Sequence, residues 1–181
     1  MKVAVITDQH FGSHKGSQIY LDFYKKFYDN IFFPYLKKHK ITQVLDLGDT
    51  FDNRKSIDFV SLEWAKENYY DVLRDMGVTV HTVVGNHTAY YKNTNKVNTV
   101  DLLLKEYDNV VVYKDATDVV IGGTSVLFVP WICADNYDVS LKAIRNSASK
   151  VAMGHLELSG YLARPGFRYD SGMDANLFSD F

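Results

Sequence analysis

Four short apolar runs in this chain end in the same way. Lys2 to Thr7 runs into Asp8-Gln9-His10, and Ile41 to Leu47 runs into Gly48-Asp49. Val78 to Val84 closes on Gly85-Asn86-His87, and Lys150 to Met153 closes on Gly154-His155. Runs of this length bounded by glycine read as buried strands. One run ending in Asp or His is ordinary. Four of them, three with glycine at the turn, point to a single site along the edge of a parallel sheet. In open α/β sheets the ligand crevice lies outside the carboxyl ends of the strands.

The segments between these runs fit that architecture. From Ser17 to Lys38 the pattern is helical, with Ile19, Phe23, Phe27 and Ile31 every four residues and charged residues interleaved. The stripe predicts core packing, and Pro34 predicts a kink or an end. A second helix is predicted from Asp58 to Met76, with Val60, Trp64 and Leu73 toward the sheet and Gly77 as its stop. This βαβαβ order predicts right-handed crossovers and a parallel sheet with helices on both faces, its first strand buried on both sides. Thr88 to Asn98 reads as a loop beside the site. Gly122-Gly123, between two β-rich runs, is a two-residue hairpin signal. Beyond Ser159 the pattern weakens, and no closing element is evident.

Composition narrows the class. The 181 residues fit one domain with a real core, at 46% apolar and 23% charged. A net charge of −2 excludes a globally basic nucleic-acid binder, so attraction to a polyanion requires local Lys/Arg clusters or bound cations. The single cysteine, Cys133, excludes an internal disulfide and suits a reducing, cytoplasmic setting. The first residues go straight into a strand-like run, with no signal-peptide pattern. No apolar run approaches the ~20 residues of a membrane span.

The strand-end residues share a chemistry. Asp8 and Asp49 offer anionic oxygens, His10 and His155 imidazole nitrogens, and Asn86 an amide oxygen. This mixture of oxygen and nitrogen without thiolate suits Mn, Fe or Zn. Asp8 and His10, two apart on an extended segment, project to the same side. A carboxylate such as Asp49 can bridge two cations, and paired ions ~3.5–4 Å apart clamp the attacking and leaving oxygens of a phosphoryl displacement. His87 follows Asn86 directly, so the two cannot easily aim at one point. With Asn86 on a metal, His87 is free to protonate a leaving oxygen.

Asp8-Gln9-His10-Phe11-Gly12, Gly48-Asp49-Thr50-Phe51-Asp52, Gly85-Asn86-His87 and Gly154-His155 together resemble the signature of the calcineurin-like metallophosphoesterases. The longer stretch Gly48 to Lys55, the loop Tyr90-Tyr91-Lys92-Asn93 and Val129-Pro130-Trp131 resemble the SbcD-type DNA repair nucleases, especially the recombination endonuclease subunits of T-even-like phages. The resemblance covers nearly the whole chain. It implies an α/β, layered metallophosphoesterase fold with mostly parallel sheets flanked by helices. It implies two divalent ions, manganese preferred, with Mg, Fe or Zn as alternatives. Asp8 and His10 would hold the first ion, Asp49 would bridge, Asn86 and His155 would hold the second, and His87 would be the catalytic histidine. It also implies DNA as substrate, a homodimer of nuclease subunits, an SMC-like ABC ATPase partner, and work in recombination or repair in the cytoplasm, that of the infected host if the source is viral.

Two departures qualify the expectation. Thr88 stands where the family usually has Asp, which predicts a change in the orientation or pKa of His87. No histidine follows His155, whereas the family ends its site with Gly-His-x-His. The resemblance therefore predicts that these residues are the N-terminal part of a nuclease domain, with a weakened metal site and little or no activity unless the missing histidines come from elsewhere. Asp52 is a candidate for orienting a ligand. Arg54, Lys55, Tyr91 and Lys92 are candidates for DNA contact, with Tyr90 and Tyr91 as stacking surface. The residues leave two other readings open: a phosphodiesterase or phosphatase for small substrates, and a non-catalytic scaffold on the same fold.

Overall fold

The computed structural model describes the backbone of residues 1–181 and every side chain except those of Ala163 and Arg164. The first half of the chain builds a parallel sheet from β1 (Ala4–Ile6), β2 (Gln43–Asp46), β3 (Thr79–Val83) and β4 (Val110–Tyr113), adjacent in that order. The second half builds a mixed sheet from β5 (Thr117–Ile121), β6 (Thr124–Val129) and β7 (Val151–Gly154). β5 and β6 form the hairpin expected at Gly122-Gly123, both at positive φ (57° and 86°). β6 and β7 are parallel, joined through helix α7 (Tyr137–Asn146).

Side-chain alternation decides how these pieces stack. Val44 and Val80 face a core shared with the helices, while Leu45 and Val83 face Ile121, Val126 and Phe128 of the second sheet. Leu127 and Val129 point the other way, to Ile144 of α7. The order of layers is helices, sheet, sheet, helix. The expectation of helices on both faces of the parallel sheet is corrected, because the second sheet covers one face. β1 is likewise not buried on both sides. It lies at the sheet edge, and Val5 is 50% exposed.

On the helical side, α1 (Ser13–Gly16) is a single turn. α2 (Gln18–Phe27) continues through a π-helical turn (Tyr28–Phe32) into α3 (Phe33–His39). The wider turn lies where the Pro34 ring meets the carbonyl of Asn30, so the helix passes the proline instead of ending there. α4 (Phe59–Ala65) starts at an Asp58 cap that accepts from the Ser61 amide (2.8 Å), then runs through a second π turn (Lys66–Tyr70) into α5 (Asp71–Asp75), with Gly77 just beyond.

The aromatic stripe of the first helix does not face the core. Ile19, Phe23, Phe27 and Ile31 are 66%, 64%, 40% and 60% exposed. Leu21, Tyr28, Phe32, Phe33 and Leu36 fill the core instead, so the helix carries two apolar faces and periodicity alone did not distinguish them. Val60 is exposed too, while Trp64 and Leu73 are buried. α6 (Thr99–Leu103) is capped by Asn98. After β7 come the small hairpin β8 (Leu162–Arg164)/β9 (Phe167–Arg168) and a 3-10 turn (Ala175–Phe178). Phe178 and Phe181 pack on the α7 side of the second sheet, so the weakly patterned stretch beyond Ser159 still contributes to a core. Among the described residues no helix is long and apolar enough to cross a membrane.

Candidate metal centre

The turns after β1, β2, β3 and β7 meet at one edge. The first two are stitched side by side: Asp8 N donates to Gly48 O (3.0 Å), His10 N to Asp49 O (2.9 Å) and Phe11 N to Thr50 O (2.8 Å). The turn after β3 is tied on through His87 N, which donates to Asp49 Oδ1 (2.8 Å). The second sheet joins through Trp131 N to Val84 O (2.8 Å), and His155 N donates to Val129 O (3.0 Å). These bonds leave no slack. Asp8, His10 and Asp49 all hold left-handed backbone, with φ of 53°, 48° and 52°. Non-glycine residues there cost ~1–3 kcal/mol each and persist where the surroundings over-determine them, typically at functional sites.

Asp49 is the hub. Among the described residues, two groups bring donor atoms within 4.8 Å of one another: His10, Asp49 and His87, and Asp8, Asp49 and His155. The grouping differs from the one the resemblance implies, because Asp8 lies with His155 and His10 with His87. Even so, Asp8 Oδ1 is only 3.5 Å from His10 Nε2. Asn86 reaches the same centre, its Oδ1 2.7 Å from His155 Nε2.

Three observations test whether these residues fit a cation. His155 Nδ1 is 3.0 Å from the Leu47 carbonyl, to which it can only donate, so in the neutral ring Nε2 is a lone pair. Nε2 faces two oxygens, Asn86 Oδ1 and Asp49 Oδ2 (3.3 Å): protonated, it donates to them, and in the neutral ring its lone pair and theirs converge as ligands of a metal ion would. His10 Nδ1 is buried without a hydrogen bond, since Asp52 Oδ1, 3.2 Å away, is off its line. The donors are oxygen and nitrogen throughout, as hard and borderline divalent cations prefer. The residues fit.

Without a cation the donors pair with one another. The hydrogen bond from His10, chiefly, holds Asp8 down at about 2, and the same contact raises His10. Burial works against a charged His155, but Asp49, the Leu47 carbonyl and Asp8 together outweigh burial and raise it overall. Where these imidazoles carry a second proton, metal binding displaces it.

The other candidates fall into distinct places. His87 Nδ1 donates to the Asp52 carbonyl (2.7 Å), which leaves Nε2 open, and its ring stands edge-on to His10 with centroids 5.0 Å apart. Asp52 thus orients His87 through its backbone carbonyl, while its carboxylate lies beside His10 without bonding it. Thr88 is buried, and its hydroxyl both accepts from Gly85 N (2.9 Å) and donates to Gly85 O (3.0 Å). It locks its own turn, and the orientation of His87 comes from Asp52. Arg54 donates to the Ala89 carbonyl (3.2 Å) and lies 5.3 Å from the Trp131 ring, so it latches two loops. Lys55 lies over Tyr90 at 5.6 Å, Tyr91 stands against Tyr90, and Lys92 is exposed. His81 is structural, between Tyr113 and Gln43, and His14 stacks on Tyr20.

One residue beneath the site was missed. Asp46, fully buried, accepts from Gln9 Nε2 (2.9 Å), Thr50 Oγ1 (2.8 Å) and Gly48 N (3.2 Å). The only sequence signal was a carboxylate inside the apolar run Ile41 to Leu47.

Residues 1–176 match the calcineurin-like phosphoesterase family. The chain belongs to that family. It is 35% identical over 172 residues to exonuclease subunit 1 of Enterobacteria phage T4, an alignment covering 93% of this chain and 49% of the relative. The chain thus spans about half the length of the curated relative it matches. Among solved structures it is similar to an archaeal phosphodiesterase (13% identity, TM-score 0.47, 91% of this chain and 74% of the other). It is also similar to the nuclease MPE of Pseudomonas putida (17% identity, TM-score 0.45, 92% and 66%).

Proposed function

We propose that this calcineurin-like phosphoesterase chain is the metal-dependent nuclease part of a DNA recombination or repair complex. The observation that carries the reading is Asp49, a buried carboxylate common to both donor groups at the sheet edge. Asp8, His10, Asp49, Asn86 and His155 would hold two divalent ions, with manganese suited to the donor set. Bound there, such ions supply Lewis-acid stabilisation of a phosphodiester undergoing in-line displacement. The chain's own contribution is orientation and one proton. Asp52 fixes the His87 tautomer with Nε2 toward the site, where it can hand a proton to the leaving oxygen in its protonated form.

DNA is the substrate this reading assigns. Tyr90 and Tyr91 are exposed, follow His87 by three and four residues and are flanked by Lys55 and Lys92, a combination that stacks bases and meets phosphates. The T4 relative is named as a subunit of an exonuclease, which supports a partner chain, here an SMC-like ATPase. The exposed stripe of Ile19, Phe23, Phe27 and Ile31 supports pairing with a second copy, since monomers seldom display such a row.

The test is Mn²⁺ stoichiometry by elemental analysis, with hydrolysis of single-stranded DNA and of an aryl phosphodiester, on the chain, on a form extended past Phe181, and on His87→Ser in the extended form. Metal uptake with DNA cleavage lost in His87→Ser is the expected result. Cleavage of the aryl ester alone would assign small substrates, and DNA binding without metal or cleavage would assign a scaffold.

A further inference from the structure

We propose that Asp46 is the positioning residue that holds the two donor-bearing turns at fixed separation, from below. The inference rests on the metal-site reading above. Strand alternation puts Asp46 on the face of Val44, among Tyr28, Tyr69 and Tyr70, all buried, so it touches no solvent. A carboxylate in such a place is tolerated only when its lone pairs are used.

What it touches is specific. Gln9 sits between Asp8 and His10, and its amide nitrogen donates to Asp46 Oδ2 (2.9 Å). Gly48 and Thr50 flank Asp49, and they donate to Oδ1 (3.2 Å) and Oδ2 (2.8 Å). One carboxylate therefore grips the residue between the first two donors and both neighbours of the hub. The far end of the Gln9 amide accepts from the Tyr28 hydroxyl, which anchors the assembly to the helical layer. The backbone bonds between the turns fix them laterally. Asp46 fixes their height, which is the coordinate that sets how far Asp8 and His10 stand from Asp49. An apolar residue at 46 would leave three buried donors unpaired. Asparagine keeps the volume but can no longer accept from all three.

The test uses the whole chain at pH 7.5, comparing wild type with Asp46→Asn by Mn²⁺ titration and by amide hydrogen exchange. Supporting residues behind metal ligands typically change affinity 10–100-fold. The expected result is an apparent Mn²⁺ Kd raised about tenfold. The amides of Asp8, His10 and Phe11, which bridge the turns, should exchange faster while those of β3 and β4 stay protected. Exchange reads the inference even if the wild type takes up no Mn²⁺, an outcome that would sink the metal reading alone. Unchanged exchange at the three bridging amides, or their acceleration only in step with the whole sheet, overturns the proposal. Should Asp46→Asn not fold, Thr50→Val and Gln9→Met each remove one arm and are read in the same way. Gln9→Glu combined with Asp46→Asn reverses the polarity of the pair: recovery of protection supports the inference, and additive losses overturn it.

Discussion

A methyl group on Gly85 would collide with Oδ1 and the backbone nitrogen of Asp49, so even alanine there must displace the hub. Gly85→Ala should lower stability by about 1–3 kcal/mol, the usual size of an overpacking strain, in a denaturant titration. It should also weaken Mn²⁺ uptake, whereas an exposed Gly123→Ala control, with open space around it, should leave uptake intact. Asp46 supplies a pH test at the same scale. Burial, chiefly, pushes its carboxyl up to about 7, against the pull of Thr50, Gly48 and Gln9. Because the folded-state value lies above the unfolded value of 3.8, its contribution is complete below pH 3.8 and lost as pH rises through about 7. At about 1.4 kcal/mol per unit, the stability of metal-free protein should fall by a few kcal/mol between pH 4 and 7 through this group. In Asp46→Asn that slope should be missing from denaturation curves at pH 5, 6 and 7. A slope equal to wild type would assign the pH dependence to His10 and His155, which are raised as well and lose stability in the same direction.

Among the elements, the first long helix has two apolar faces with different duties. Phe23→Asp on the exposed face should leave the melting temperature of the protomer within a few degrees, since it opens no cavity. In sedimentation the same change should convert a dimer to a monomer, and a wild-type chain that is already monomeric would remove the dimer from the proposal. Leu36→Ala on the buried face should instead cost about 2–5 kcal/mol. The loops after β2 and β3 are joined by Arg54, through Ala89 and Trp131. Arg54→Ala should loosen the Tyr90-Tyr91 platform and raise the KM for DNA more than it lowers kcat on an aryl phosphodiester. Equal losses on both substrates would place Arg54 at the chemistry itself.

For the molecule as a whole, the face-to-face contact of the two sheets is what brings His155 to the other donors. Phe128 is fully buried there, stacked on Tyr113 of the first sheet with centroids 4.9 Å apart. Phe128→Ala should cost about 3–5 kcal/mol. It should also separate β7, with His155, from Asp49 and so reduce metal stoichiometry before the first sheet unfolds.

The strand endings were legible because each is local: an apolar run and a donor, in three of the four with a glycine between them, specify a strand and the turn that follows it. The hairpin at Gly122-Gly123 and the helix stop at Gly77 were legible for the same reason, as backbone conformations that particular residues favour. Which apolar face of the first helix meets the core was not local. Leu21, Tyr28 and Leu36 compete with Ile19, Phe23 and Phe27 at similar spacing, and only the shape of the sheet beneath chooses between them. The second sheet in place of a second helical layer, the packing of Phe178 and Phe181, and the seat of Asp46 under Gln9 and Thr50 belong to the same class. Sequence determined the donors and the strands that end in them. Tertiary structure decided which donors meet, because distances between turns some 40 to 150 residues apart are set by how layers pack, a property no single stretch of chain contains.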